Sequence, residues 1–368
     1  MSAPSVLHLS NEPSLQAGPR FSRAFAGFEA SGSLRCTVVS PRALLAEGAT
    51  PEEAFARTVS AAREAAPDLV FVQTPGPFPW NDERVRALLH ATGSPPVVFW
   101  DGDAWGGRKA LPGSALAWLR RADQVFTVAA GQQAELFRSV SRGHVRYVPH
   151  VLPPAVDPPD GAAPADAGRT PANRADAVDA GTTDRPDVAV VGNRYLRFGV
   201  LERVAGSRDR ARLVRGLQRI PGIRTAVYGH GWRGPGARGP LPFAAQLSAL
   251  GRARITAGWD HYNRHHGYFS DRLPIALCAG RAHVTSRQPG MDWLPGPDHG
   301  LYLADTPAAA VSVVESLLTE EPAELDSAAA RGAAWVRERL TDREALCHML
   351  GGYVPLPAPP ADPWARFA

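Results

Sequence analysis

The sequence predicts an α/β protein built as two Rossmann-like domains that face each other across a cleft. Three observations carry this. Short apolar runs such as Leu69–Gln73 and Val188–Val191 lack polar alternation, the pattern of parallel strands covered on both faces. Such runs alternate with helix-length segments throughout, which indicates repeated βα units. The alternation breaks once, at 153–186, where Ala, Pro, Asp, Gly, Thr and Arg dominate and no aromatic residue occurs. That stretch cannot bury enough surface to offset its ordering entropy, so it reads as a partly disordered interdomain linker. At 368 residues the chain is long enough for a core on each side of it. The expected organisation is a first domain over 1–152, the linker, a second domain over 187–350 and a C-terminal tail over 351–368.

In the first domain, strands are expected at Val6–Leu9, Arg35–Ser40, Leu69–Gln73, Val97–Trp100, Gln124–Val128 and Val145–Val148. Helices are expected between them at Phe21–Ala30, Pro51–Ala66, Asp82–Thr92, Ser114–Ala122 and Gln132–Ser139. In the second, Val188–Val191 is a strand and Asp209–Arg219 a helix with a charged face. Arg224–Tyr228 is a strand, Pro242–Leu250 a short helix and Ile255–Trp259 a strand. Ser270 caps a short helix that tolerates Pro274 in its first turn and leaves through Gly280. Ala282–Ser286 and Leu301–Leu303 are strands. Thr306-Pro307 opens a helix through Leu318, Ala323–Leu340 forms another, and a capping box at Thr341–Glu344 starts the last one, to Leu350. The tail is Pro-rich, but Trp364 and Phe367 suggest that it docks.

A hydrophobic content of 44% with 21% charged residues is that of an ordinary soluble enzyme. The net charge of +4 is neither large nor clustered with aromatics, which speaks against nucleic acid as a partner. Cys36, Cys278 and Cys347 are far apart, in neither a metal nor a disulfide spacing. No secretory leader and no run long enough for a membrane span stands out, so a cytoplasmic protein without membrane insertion is expected.

Candidate site residues cluster at strand ends, where ligands of open parallel sheets bind. Gly192-Asn193 follows the first strand of the second domain; no G-x-G-x-x-G opens the next helix, so a dinucleotide reading has little support, and a turn glycine is the plain alternative. Gly229-His230-Gly231-Trp232 also ends a strand and could set a base or sugar against the loop, or form a tight turn with Trp232 packed on the domain. Ser270, Asp271 and Arg272 stand at a helix N-terminus, where free N–H groups and a guanidinium make a seat for phosphate. The histidines of Trp259–His266 do not have the spacing of a zinc motif, and no metal is expected. In the first domain, Asp101 and Asp103 could supply a base or bind hydroxyls, or simply make an Asp-Gly turn. His8 could line the cleft beside Asn11 or be a core histidine.

The second half resembles the GT-B glycosyltransferases, most closely the branch related to bacterial spore-maturation glycosyltransferases. Val188-Ala-Val-Val-Gly-Asn193 before an Arg-rich helix carries the likeness, together with Val227-Tyr-Gly-His-Gly-Trp232 and Ser270-x-Arg272 with Ala279-Gly280 and Thr285–Gly290. The resemblance spans about Asp187 to Leu346 and implies a hexosyltransferase-type enzyme that takes a nucleotide-diphosphate sugar, UDP- or GDP-linked, on the second domain. Arg272 would contact the diphosphate, and Gly192, Gly229, Gly231 and Gly290 match the loop glycines. The acceptor, expected to be a small soluble molecule such as a specialised metabolite, would lie against the first domain near Asp101, Asp103 and His8. No metal is implied, because helix dipole and Arg neutralise the leaving diphosphate. One departure stands out: the family often carries Glu three residues after that Arg, and here the position is Ile275. A non-catalytic sugar-nucleotide-binding or assembly protein is therefore kept as an alternative, and a sugar-nucleotide epimerase is kept as another enzyme on the same fold. Inversion or retention, and a homodimer, are left open.

Overall fold

The computed structural model describes residues 3–16, 20–105, 110–152, 185–197, 201–202, 206–262, 264–358 and 364. The linker, apart from Arg185 and Pro186, and Phe367 lie outside them.

Six parallel strands form the first sheet: β1 (Ser5–Leu9), β2 (Arg35–Val39), β3 (Leu69–Gln73), β4 (Val97–Asp101), β5 (Gln124–Thr127) and β6 (His144–Tyr147), in the order β2-β1-β3-β4-β5-β6. The central β1, β3 and β4 are buried along their whole length, as their unbroken apolar runs demand, while the edge strand β2 is partly exposed. Helices α1 (Ser22–Ala30), α2 (Pro41–Ala46), α3 (Pro51–Ala65), α4 (Asp82–Ala91), α5 (Gly113–Leu119) and α6 (Gln132–Val140) connect them. Helix α3 starts on a full capping box, with Thr50 and Glu53 satisfying each other's backbone N–H, and with Pro51 at its first position.

The second sheet comprises β7 (Val188–Val191), β10 (Thr225–Tyr228), β11 (Ala237–Gly239), β12 (Ile255–Ala257), β13 (Ala282–Ser286) and β14 (Leu301–Ala304), parallel throughout in the order β11-β10-β7-β12-β13-β14. Strands β8 (Leu196–Arg197) and β9 (Leu201–Glu202) form a separate antiparallel ribbon. Helices α7 (Ser207–Leu217), α8 (Gln246–Gly251), α9 (Arg272–Cys278), α10 (Pro307–Thr319), α11 (Pro322–Arg339) and α12 (Asp342–Leu350) complete the chain. Two parallel α/β domains are therefore present, as expected.

Several details depart from the sequence reading. The ribbon, β11 and α2 are too short to announce themselves by periodicity. The segment Pro242–Leu250 begins as a 3₁₀ turn over Phe243–Ala245 and only then becomes α8. Ser270 does not cap α9: Asp271 holds the N-cap position without a side-chain bond, and the Ser270 hydroxyl is engaged by Asp260. At Thr341 only half of the expected box forms, for Thr341 accepts from the Glu344 N–H and Glu344 Oε2 returns nothing. The cap at Thr306 and the left-handed exit at Gly280 (φ 67°) are as expected.

The last helix crosses back. Ala345, Leu346, Met349 and Leu350 of α12 pack with Phe21, Phe25 and Phe28 around α1, so the end of the chain covers one face of the first sheet. Helices α3 to α6 cover its other face. The second sheet has α8, α9 and α11 on one side, joined by the buried Trp364, and α7 and α10 on the other. Leu346 is wholly buried at the junction. Leu346→Ala is expected to cost about 2–5 kcal/mol in denaturant unfolding; an unchanged midpoint would mean that α12 is not part of the first domain's core.

Candidate active site

Parallel strands bring their carboxyl ends to one edge of each sheet, and the loops there meet between the domains. On the second domain, the loops after β7 and β10 interlock. The Trp232 indole donates to the Gly192 carbonyl at 2.6 Å, and the His230 N–H donates to Asn193 Oδ1 at 2.9 Å. A side chain at Gly229 (φ 134°) would strike the Gly192 carbonyl at 2.4 Å, and one at Gly231 (φ 81°) the Arg194 carbonyl at 2.2 Å. These glycines are needed so that one loop can approach the other. Gly192 lies against the guanidinium of Arg210, 3.0 Å from the position its Cβ would take.

Arg210 is the residue the sequence reading missed. It sits in the Arg-rich helix α7, taken there as a charged face, yet it is 2% exposed. Its Nε donates to the Trp259 carbonyl at 2.7 Å and its Nη1 to the Asn193 carbonyl at 2.9 Å, with His261 Nε2 at 2.7 Å from the same nitrogen. A signal was available: Leu213, Val214 and Leu217, three, four and seven residues on, are the buried stripe of this helix and share the face of Arg210. Burial, then the charge of Arg272, lowers Arg210 to about 9, so it stays protonated at neutral pH. Burial followed by Arg210 and Arg272 takes His261 down to about 3, leaving a neutral ring that accepts from Arg210.

Arg272 stands at the start of α9. Its Nη1 is a long 3.5 Å from Ser270 Oγ, and its buried Nε has no hydrogen-bond partner among the described residues. The Ser270 hydroxyl donates to Asp260 Oδ1 at 2.7 Å, and burial raises the Asp260 carboxyl against the pull of that bond and of Arg210 and Arg272. Asp271 turns to the first domain and meets Arg20 at 3.6 Å. Burial raises its carboxyl, but Arg272, His150 and Arg20 together outweigh that and hold it below the usual range. His150, two residues past the last expected strand and also missed, is enclosed by the rings of Trp100 and Tyr268. Burial, then the charge of Arg20, lowers it to about 4. Tyr147 Oη donates to the Gly267 carbonyl at 2.6 Å and the Ala130 N–H to the His266 carbonyl at 2.8 Å, tying the loop before α9 to the first domain. Gly290 (φ 75°) faces the His266 ring, 2.3 Å from where a Cβ would lie, so it supports this loop.

The acceptor-side residues fall differently from expectation. His8 is fully buried among Phe21, Phe25 and Phe71, with Nε2 3.1 Å from Gln73 Oε1, and burial lowers it to about 4; it is a core histidine and does not line the cleft. Asp101 is also fully enclosed. Its Oδ2 accepts from the Trp105 indole at 2.8 Å, and its Oδ1 from the Asp103 N–H at 2.9 Å and the Thr74 hydroxyl at 3.3 Å. The carboxylate shapes the strand-end loop, and Asp103 is the member of the pair left exposed. Among the described residues no group of three or more His, Cys, Asp or Glu could hold a metal ion, and no helix is long and apolar enough to cross a membrane.

Comparison with known proteins bears on the fold and on part of the second domain. Residues 208–349 match the family model for glycosyl transferase-like domains. The fold is similar to that of Anabaena HepE, solved with UDP and glucose (TM-score 0.56, 12% identity, 95% of this chain and 100% of that one). It is similar also to sucrose-phosphate synthase from Thermosynechococcus elongatus (0.55, 14%, 95% and 98%) and to a glycosyltransferase from Rickettsia africae (0.59, 11%, 96% and 98%). No curated protein matches the sequence significantly. The two-domain architecture is the GT-B fold. Within it, residues 208–349 carry the glycosyl transferase-like domain.

Burial, and then the charge of Asp103, raises Asp101 to about 7. The folded protein thus keeps a proton there that the unfolded chain releases at roughly pH 4. The contribution of this group to stability is complete below that pH and is lost as pH rises to about 7. The stability of wild type relative to Asp101→Asn, measured by denaturant unfolding, should fall between pH 4 and 7; a constant difference would refute the burial argument.

Proposed function

We propose that the protein transfers a sugar from a nucleotide-diphosphate sugar to a small acceptor, with the donor's diphosphate held between Arg210 and Arg272. The carrying observation is this pair of largely buried guanidinium groups at the seam between the domains, close enough that Arg272 depresses Arg210. Asp260, the buried carboxyl beside both, is itself raised toward its neutral form. An anion in that place relieves the repulsion and gains charge-assisted bonds. As the sugar leaves, charge builds on the diphosphate, and fixed cations stabilise it without reorganising. The loops at Gly192, Asn193, Gly229, His230 and Trp232 form the adjoining wall for the nucleotide, with Ser270, Asp271 and Gly290 supporting the α9 side. The UDP in the HepE structure supports trying a UDP-linked donor first, ahead of GDP.

On the acceptor side, the exposed Asp103 is the proposed group that meets the acceptor, with Asp101 as its positioning residue. Small soluble acceptors, including specialised metabolites, suit an enzyme with a modest net charge of +4.

A second reading rests on Ile275. Its side chain is wholly buried in the apolar cluster behind α9, so this position offers the donor no carboxylate. A protein that binds the donor without transferring its sugar would follow from that.

The first test is a thermal-shift screen with UDP, GDP, TDP and ADP and their sugar conjugates, with and without EDTA. A ligand at a hundred times its Kd adds about 2.7 kcal/mol. One nucleotide should raise the melting temperature equally with EDTA; no shift with any of them would overturn the proposal. Arg210→Ala and Arg272→Ala should each weaken nucleotide binding by about 1.5–3 kcal/mol. Asp103→Asn should lower turnover and leave nucleotide affinity unchanged; normal turnover would remove Asp103 from the site. Nucleotide binding with neither transfer nor donor hydrolysis would favour the second reading.

A further inference from the structure

The opposite edge of the second sheet carries a second concentration of charge. There, at the amino ends of the strands, a cavity of about 350 Å³ is lined by Arg185, Arg224, Arg252, Arg254 and Arg281, with Asp187, Asp326 and the first turn of α11. Arg185 lies just before β7, Arg224 before β10, Arg252 and Arg254 before β12, and Arg281 before β13. Parallel pairing therefore delivers all five to one edge, away from the loops that meet the first domain. The two carboxylates are already committed. Asp187 accepts from the Arg224 backbone at 2.9 Å and faces its guanidinium at 3.5 Å, and Asp326 pairs with Arg281 at 2.9 Å. Arg185, Arg252 and Arg254 form no ion pair with a described carboxylate. Arg252 only reaches Ser248 Oγ, at 3.1 Å. Arg254 donates one nitrogen to the Glu320 carbonyl at 3.0 Å, while its buried Nε has no hydrogen-bond partner among the described residues.

We propose that this cavity is a second anion site, taking a small soluble phosphorylated molecule in addition to the donor between the domains. Guanidinium groups left without carboxylates inside a concave, partly enclosed space form the fork geometry that phosphate oxygens match. The volume falls in the lower range of small-molecule sites, which suits a ligand of pyrophosphate or sugar-phosphate size. The N-terminus of α11 (18 residues), whose first turn lines the cavity, adds its dipole, offset in part by the exposed Glu321 and Glu324 at the helix start. Occupation would bridge the roots of β7, β10, β12 and β13, whose other ends carry the candidate active site, so a ligand here would bear on the donor site through the sheet.

The test is calorimetric titration of the full chain with sodium pyrophosphate alone. In Arg272→Ala, where the donor site is impaired, one binding event should remain. In Arg252→Gln/Arg254→Gln that event should weaken by about tenfold or more, with UDP binding unchanged. Arg252→Glu, at an exposed position that spares the Arg254 contact with Glu320, should weaken it as well if the charge is what matters. Loss of all pyrophosphate binding in Arg272→Ala, or unaltered binding in both cavity variants, would overturn the proposal. Co-sedimentation with phosphatidylserine vesicles, lost in the same variants and without binding of free pyrophosphate, would assign the charge to a membrane surface and overturn it too.

Discussion

The second domain's site depends on one buried cation. Arg210 bonds the carbonyls of Asn193 and Trp259 and the ring of His261, so a single guanidinium joins the loop after β7 to the loop after β12. Enclosing a guanidinium costs several kcal/mol, and these three acceptors on Nε and Nη1 offset part of it. Glycine at 192 is the complement of that choice, because a side chain there would press on the guanidinium at 3.0 Å. Once those two loops are fixed, Asn193 fixes the next one through the His230 N–H, and Trp232 closes back on the Gly192 carbonyl. The wall of the site is thus a chain of contacts that starts from a charge.

The larger architecture was legible because parallel sheets leave a strong trace. Runs such as Val70, Phe71 and Val72 have no polar interruption, and they are buried without remainder. Turn chemistry was legible where one residue decides it, as at Thr306 and Gly280. What escaped was whatever depends on a partner distant in sequence. Ser270 looks like a cap from its neighbours alone, and Asp260 redirects it. His8 and Asp101 stand at strand ends, yet aromatic rings close over the first and a Trp105 indole holds the second, and neither fact lies in the local sequence. Arg210 belongs to a different class: its helical position was readable, but a cluster of arginines reads as a solvent face.

The two domains meet through a few directed contacts. Arg20 with Asp271, the Tyr147 hydroxyl with the Gly267 carbonyl, and the Ala130 N–H with the His266 carbonyl all engage the stretch from His266 to Asp271. That stretch leads directly into Arg272. The proposed diphosphate ligand is therefore placed by the first domain as much as by its own helix. His150, set against Tyr268 from the other side, shares in this.

The return of α12 has a mechanical consequence. Where the chain leaves the first domain, the Leu152 N–H donates to the Leu340 carbonyl at 2.7 Å, and Leu152 pairs with Thr341 in a parallel bridge. The outgoing and the returning passage are thus side by side and bonded to each other. A single tether would let one body swivel about it in any direction. Two passages clasped together limit that freedom, because a rotation that twists one strand of the pair must also break its bonds to the other. The Arg20–Asp271 pair, at the same seam, is thereby held to one register.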